Sequence, residues 1–451
     1  MLGRIVMILA YAAAHTAALT TTLPAVSQIS FSHECEIGAS GCLGSPSIIR
    51  TTPTTLLATH DHYKLVPDGS PGTVFVWAHT ANGEPHEPWI NVANVSGIYW
   101  AELTAAPAGG AYYLLGTSTD LSGVANVVVS KCLDRPCTGA HWSTPSVILR
   151  AQGGKGLGWH SSGAGSVWAG GRIFRAIEAL SGLSGCMRQR QGEDAAHYRT
   201  TRKIDLAPVL ISAPESCAGN LTSDSCWTVS KPLCFNETWR LPGGVEPSGK
   251  YRPWEEATTV STSSGEVKVI MRLDSDGLGR SCNGAMLLDC HQDNRTLTEP
   301  DAASVQEATT ELRFSANMPS FPSGSSRFVV RRHGESDRYY SLTNPVDANR
   351  TNDGTVPNPC GQRNQLALAV SANLVDWKVC EIVLFDDTGL AHAKQLPDAS
   401  FTLTGFQYAH WQFDDDDIIY VVRAAYRGAT DRGQANRFWF GRLENFAQRC
   451  A

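Results

Sequence analysis

The sequence predicts an all-β chain folded as a single large propeller, and three observations carry that expectation. Gly and Pro recur along all 451 residues, 41 and 23 of them, and no segment shows long helical periodicity. Short runs rich in β-branched and aromatic residues recur between turn signals. A degenerate turn pattern, Ser-X-Asp…Trp, also returns at intervals of roughly 50 to 85 residues, a period suited to blades of a propeller.

Taken from the N terminus, residues 1–27 read as a secretory leader. Arg4 supplies a short positive region, residues 5–14 an apolar core, and Ala14, Ala17 and Ala18 a small-residue cleavage site. The apolar run is shorter than the roughly 18–20 residues of a membrane span, and no later window reaches that length. The mature chain, 28–451, is therefore expected to be one exported propeller domain with no membrane contact. Thirteen cysteines fit disulfides in an oxidising compartment. Cys132 and Cys137 flank a turn. Cys35/Cys42, Cys217/Cys226/Cys234 and Cys282/Cys290 are further local clusters whose pairing stays open, and the odd count leaves room for one free thiol. Sequons begin at Asn94, Asn220, Asn236, Asn294 and Asn349, which points to surface loops and a glycoprotein.

Ser45-Pro-Ser-Ile-Ile-Arg-Thr-Thr-Pro-Thr-Thr-Leu-Leu-Ala-Thr-His-Asp-His-Tyr63 reads as two short strands joined by a polar turn, with His60, Asp61 and His62 closing the second. A sheet edge of this kind gives titratable groups a rigid mount. Further strands are expected at 74–77, 111–115, 126–129, 171–177, 267–272, 327–332, 366–370 and 418–422. Segments 182–194 and 219–249 read as insertions. The blade-closing turn is carried by Ser130…Asp134…Trp142, where the Asp is expected to tie down backbone N–H groups and the Trp to pack between blades. Ser371-Ala-Asn-Leu-Val-Asp-Trp377 is a variant of it. Weaker copies are Trp77…Asn82-Gly83…Trp89, Ser223-Asp-Ser-Cys-Trp227 and Asp293…Thr296…Pro300. Six or seven blades follow, with seven preferred.

The net charge of −6 and the scattered basic residues argue against nucleic-acid binding. No Cys-X-X-Cys or His-Glu-X-X-His motif supports zinc, no cofactor is required, and a structural calcium is considered only at the acidic turn from Asp414 to Asp417.

Several longer stretches carry a family resemblance. They are Ile98-Tyr-Trp-Ala-Glu-Leu103 with Tyr112-Tyr-Leu-Leu-Gly116, and Gly158-Trp-His-Ser161 with Gly171-Arg-Ile-Phe-Arg-Ala-Ile-Glu178. Met318-Pro-Ser-Phe-Pro-Ser323 and Gly405-Phe-Gln-Tyr-Ala-His-Trp411 with Tyr420-Val-Val-Arg423 extend it. Together with Ser45-Pro-Ser-Ile…Asp61, they resemble the sialidase-like propellers, in the branch of the gum-arabic α-L-rhamnosidases, rhamnosyl-glucuronate lyases and ulvan lyases. The resemblance implies a carbohydrate-active enzyme, a monomer acting on an acidic polysaccharide or oligosaccharide, most directly releasing α-L-rhamnose from rhamnosyl-glucuronate ends by hydrolysis. Lyase cleavage of the same linkage and glycan binding without catalysis are the alternatives. Sialic acid is disfavoured, because the stretch Cys42-Leu-Gly-Ser-Pro-Ser47 lacks the first arginine of the sialidase carboxylate clamp.

His60 is the residue that matches the rhamnosidase histidine, with Asp61 orienting it. The lyase pattern places histidines around Tyr99–Thr119, where this chain has none; His160 then becomes the candidate base and Arg175 the carboxylate partner. Tyr99, Trp159, Arg272, Tyr408, Trp411 and Arg423 are candidate substrate-binding residues. Each has a plainer reading: a strand-end pair for His60 and Asp61, a buried ion pair for Arg175 and Glu178, blade-to-blade salt bridging for Arg272 and Arg423, and interblade packing for the Tyr408–Trp411 cluster. Glu255 and Glu256 form a close glutamate pair, but adjacent strand residues face opposite sides, which counts against joint action.

Overall fold

The computed structural model describes residues 26–32, 35, 41–63, 72–81, 83, 87–107, 110–119, 125–151, 158–161, 165–180, 186, 206–236, 239, 254–273, 282–292, 310–323, 326–346, 359–386 and 399–451. Residues 1–25 of the expected leader, the sequons at Asn294 and Asn349, the segment 182–194 apart from Cys186, and the turn copy at 293–300 lie outside the described residues.

Six antiparallel sheets form six blades. Blade 1 runs Ser47–Arg50, Leu56–Tyr63, Thr73–His79 and Ile90–Ser96, with Cys42–Leu43 pairing the far end of its second strand. Blade 2 runs Tyr99–Ala105, Tyr112–Thr117, Val127–Lys131 and Ser146–Leu149. Blade 3 divides its first strand into Trp159–His160 and Val167–Ala169, followed by Arg172–Leu180, Leu206–Pro214 and Thr228–Val229. Blade 4 comprises Trp254–Ser261, Val267–Leu273, Ala285–Gln292 and Thr310–Met318. Blade 5 comprises Val329–His333, Arg338–Thr343, Gln365–Ser371 and Trp377–Phe385. Blade 6 takes Gly405–Asp414, Asp417–Ala425 and Arg437–Leu443 and receives its fourth strand, Ser27–Phe31, from the other end of the chain. This pairing closes the ring, and it begins at the residue where the expected leader ends. The smaller of the two blade counts is the observed one, and each sequence-expected strand overlaps an observed one.

Second and third strands are apolar nearly throughout because a blade is covered on both faces by its neighbours. The cores accordingly lie between blades: Leu57, Val74 and Val76 of blade 1 pack with Leu103 and Leu114 of blade 2, and Tyr340, Leu366 and Leu368 of blade 5 with Trp411, Tyr420 and Val422 of blade 6. Two copies of the turn repeat do what the sequence predicts. Asp134 Oδ2 accepts from the Thr138 hydroxyl at 2.7 Å and from the N–H groups of Ala140 at 3.0 Å and His141 at 3.2 Å, while Trp142 packs against the core between blades 1 and 2. In blade 5 Asn373 takes the aspartate's place, accepting from Val375 and Asp376 N–H, and Trp377 is buried.

Six disulfides form: Cys35–Cys42, Cys132–Cys137, Cys186–Cys234, Cys217–Cys226, Cys282–Cys360 and Cys380–Cys450. Cys290 is the free thiol. Such a set belongs to an oxidising compartment. Among the described residues no helix is long and apolar enough to cross a membrane. Asn94, Asn220 and Asn236 are exposed.

Candidate functional site

The first strands of successive blades contact one another around the axis, blades 2 and 3 meeting there through hydrogen bonds from Ser166 to Glu102, and on one face of the ring they begin beside the ends of their second strands. Three of them, in alternate blades, carry the same irregularity at that end. Two residues face one across the ladder: Trp100 and Ala101 opposite Gly116, Glu255 and Glu256 opposite Arg272, and Tyr408 and Ala409 opposite Val422. A bulge bends the strand and re-aims its side chains. Trp100 and Tyr408 take left-handed backbone conformations there, φ 49° and 60°, which bulky residues rarely adopt. Gly116 is required where it stands, because a Cβ would come within 2.4 Å of the Tyr99 carbonyl oxygen.

The bulge of blade 4 overturns the objection to the glutamate pair. With strict alternation interrupted, Arg272 Nη1 meets Glu255 Oε2 at 2.8 Å and also binds Glu256 Oε2, and it lies 3.3 Å from the Tyr408 hydroxyl. Burial alone would lower the pKa of Arg272, but Glu255 and Glu256 outweigh it and hold the guanidinium charged. Burial would raise Glu256; Arg272 above all, then His160 and Arg327, keep it below the ordinary carboxylate value. Tyr408 is pushed up by burial and by Glu256, so its phenol keeps its proton. Arg423 stacks on the Tyr408 ring at 3.9 Å, with Arg327 at 5.7 Å and Arg363 at 6.0 Å from the same centroid. Arg363 and Arg423 both donate to Gln407 Oε1. Burial pulls Arg327 and Arg363 down to about 10, which leaves both cationic at neutral pH. Four arginines from blades 4, 5 and 6 thus surround one partly exposed tyrosine.

In the adjoining blade 3, His160 and Glu178 are direct cross-strand neighbours, so His160 Nδ1 and Glu178 Oε2 meet at 2.7 Å. The other oxygen of Glu178 accepts from Ala257 N–H of blade 4 at 2.7 Å. Burial disfavours the imidazolium, yet Glu178, Glu256 and Glu255 raise the His160 pKa above its ordinary value. Glu178 is raised too, chiefly by burial. The pair therefore holds a proton more tightly than either group would in water. Asp61, wholly buried, accepts from Trp100 N–H at 2.7 Å and Ser45 N–H at 3.0 Å. Burial pushes its pKa up to about 6 against those bonds. The Trp100 ring lies edge-on to His160, centroids 4.6 Å apart.

The structure brings together Asp61, His160, Arg272, Tyr408 and Arg423 of the sequence-expected set, and it relocates the others. His60 is 1% exposed, accepts from the Trp77 indole N–H at 3.1 Å and is enclosed by Phe75, His62, Trp77 and Phe438. Burial, and then His62, lowers its pKa to about 3. It is a neutral packing histidine with no face toward a ligand. Arg175 pairs with Glu102 of blade 2 at 2.5 Å, not with Glu178, because residues 175 and 178, an odd number apart, face opposite sides of blade 3. Tyr99, Trp159 and Trp411 are buried: Trp159 N–H reaches Arg150 O and Trp411 N–H reaches Val329 O. These rings fill interblade space and offer no stacking surface. Asp414 is engaged by Arg50 and Arg442, and Asp417 by Arg442, and among the described residues no three His, Cys, Asp or Glu side chains gather as a metal site.

Trp100, Arg327 and Arg363 escaped sequence reasoning. Trp100 stands within Ile98–Leu103 and Arg327 opens the strand expected at 327–332, but nothing in their neighbours marks a bulge or a cluster of arginines.

No family model and no curated protein matches the chain. Solved structures match its shape. An α-L-arabinanase of Penicillium chrysogenum, complexed with arabinobiose, aligns with a TM-score of 0.52 at 13% identity, over 94% of this chain and 99% of the other. A leech intramolecular trans-sialidase aligns with a TM-score of 0.52 at 8% identity, over 96% of this chain and 71% of that one. Trypanosoma rangeli sialidase aligns with a TM-score of 0.50 at 11% identity, over 95% of this chain, which spans 61% of the sialidase's length. At these identities the likeness concerns the fold, and the fold of this chain is the sialidase-like β-propeller.

Proposed function

We propose that the bulged face of the ring is the active site of a glycoside hydrolase acting on a uronate-bearing glycan, with release of α-L-rhamnose from rhamnosyl-glucuronate ends as the specific reaction. The observation that carries the reading is a division of protons between two neighbouring pairs. Glu256, held by Arg272, is kept ionised; His160 and Glu178 are both shifted toward the protonated form. Titratable pairs whose environments push their pKa values apart are the usual basis of acid–base division in an active site. In this reading the His160–Glu178 pair donates a proton to the departing sugar oxygen. Glu256 stands on the other side as the carboxylate that attacks the anomeric carbon or activates water.

Arg423, Arg363 and Arg327 around Tyr408 supply the positive charge a uronate carboxylate needs, and guanidinium groups suit it geometrically. The clamp comes from blades 5 and 6, whereas blade 1 contributes no arginine at Cys42–Leu43 or the loop after it. The fold likeness to an arabinanase and to sialidases is consistent with a sugar-processing propeller without bearing on this substrate.

The test is incubation of the protein with rhamnosyl-glucuronate oligosaccharide, with products followed by chromatography and ultraviolet absorbance. Free rhamnose, reduced at least about a hundredfold in Glu256→Gln, supports the reading. An absorbing unsaturated product would replace it with a lyase, and absence of any product from uronate glycans would leave a binding propeller.

A further inference from the structure

We propose that Trp100 is a stacking platform for the neutral sugar next to the uronate, and that Asp61 is the positioning residue that aims it. The inference rests on the reading of the bulged face as a glycan site and assigns its second subsite. Tyr99, Trp159 and Trp411 are buried, whereas Trp100 remains partly exposed at the mouth, edge-on to His160. Its backbone is held at φ 49°, a conformation that is costly for a bulky residue and persists only where its surroundings over-determine it.

The surroundings do so here. Asp61 Oδ2 takes the Trp100 N–H at 2.7 Å, and Asp61 Oδ1 takes Ser45 N–H at 3.0 Å. The chain wraps the carboxylate so closely that a Cβ on Gly44 would meet Asp61 Oδ1 at 1.4 Å. Opposite the bulge, Gly116 leaves no room beside Tyr99 O. A glycine at position 100 would satisfy every one of these backbone demands without strain. The indole is therefore what the arrangement serves. Arginines recognise the charged unit; a ring-sized apolar surface on the same bulged face, joined to Arg423 through Asp61, suits the C–H face of an uncharged pyranose, an interaction driven by burial of apolar area.

The experiment uses the Glu256→Gln protein, in which cleavage is suppressed, and measures calorimetric binding of glucuronic acid and of rhamnosyl-glucuronate. Trp100→Gly is expected to bind glucuronic acid as its parent does and the disaccharide about tenfold more weakly, with a melting temperature no lower than the parent's. Trp100→Phe is expected to recover most of the loss. In the otherwise wild-type enzyme, Asp61→Asn, which turns one acceptor into a donor facing an N–H group, is expected to raise KM severalfold while kcat changes less than about twofold. If Trp100→Gly binds both ligands as its parent does, the platform is refuted and the acidic-glycan reading stands. If the parent binds neither ligand, the acidic-glycan reading falls and the platform with it.

Discussion

Glu256 and Arg272 form a buried ion pair because the first strand of blade 4 carries one residue more than the strand opposite. A regular ladder would send Glu255 and Glu256 to opposite faces; the bulge lets one guanidinium bind both. Removing the cation leaves two carboxylates behind, one of them buried. Arg272→Gln is therefore expected to cost about 3–5 kcal/mol of stability, and the double variant with Glu256→Gln less than the single one. Urea denaturation of the three proteins checks this, and equal losses would show that the pair is not what the bulge protects.

Acid sensitivity should trace to His60. Its pKa lies at about 3 when folded, against 6.5 for an ordinary imidazole, because burial and then His62 disfavour the charged ring. A lowered histidine contributes stability that is full above the unfolded value and is lost as pH falls through 6.5 toward 3. His410, lowered to about 4 chiefly by burial, acts in the same direction. Asp61, raised to about 6 by burial, and the raised His160–Glu178 pair act in the opposite direction, so the contribution of His60 is read as the difference in pH slope between wild type and variant from pH 7 to 4.5. His60→Gln, whose amide oxygen can still accept from Trp77, should reduce proton uptake on unfolding by about one. An unchanged slope would mean that His60 is accessible and ordinary.

The Asp134 turn is expected to matter for stability and not for sugar cleavage. Asp134→Ala removes an acceptor shared by the Thr138 hydroxyl and two backbone N–H groups, on the side of the blade away from the bulges. The expected cost is about 1–3 kcal/mol, read as a lower melting temperature with kcat unaltered. A loss of kcat at temperatures where the variant is folded would contradict the placement.

Thiol chemistry provides a direct count. One thiol per chain should react in denaturant, and it should be Cys290 by peptide mapping. In the folded protein at pH 8 the reaction should be slow, because burial raises that thiol to about 11. Three reactive thiols would mean that one of the six disulfides is absent.

Much of this protein is decided locally and is therefore legible in the chain. Strands such as Val267–Leu273 and Gln365–Ser371 follow from β-branched, apolar runs. The blade-closing turns are equally local, since Asp134 and its bonded N–H groups lie within seven residues. The site is decided otherwise. Whether Trp100, Glu256 or Tyr408 faces the mouth depends on counting residues against the opposing strand, and a one-residue excess reverses every side-chain direction beyond it. His60 shows the same limit from the other side: its motif is plain in sequence, yet Phe438, almost the whole chain away, helps to close it off. Sequence determined the strands, the turns and the stock of charged and aromatic residues. Only the closed ring, with bulges and neighbours fixed, decided which of them meet.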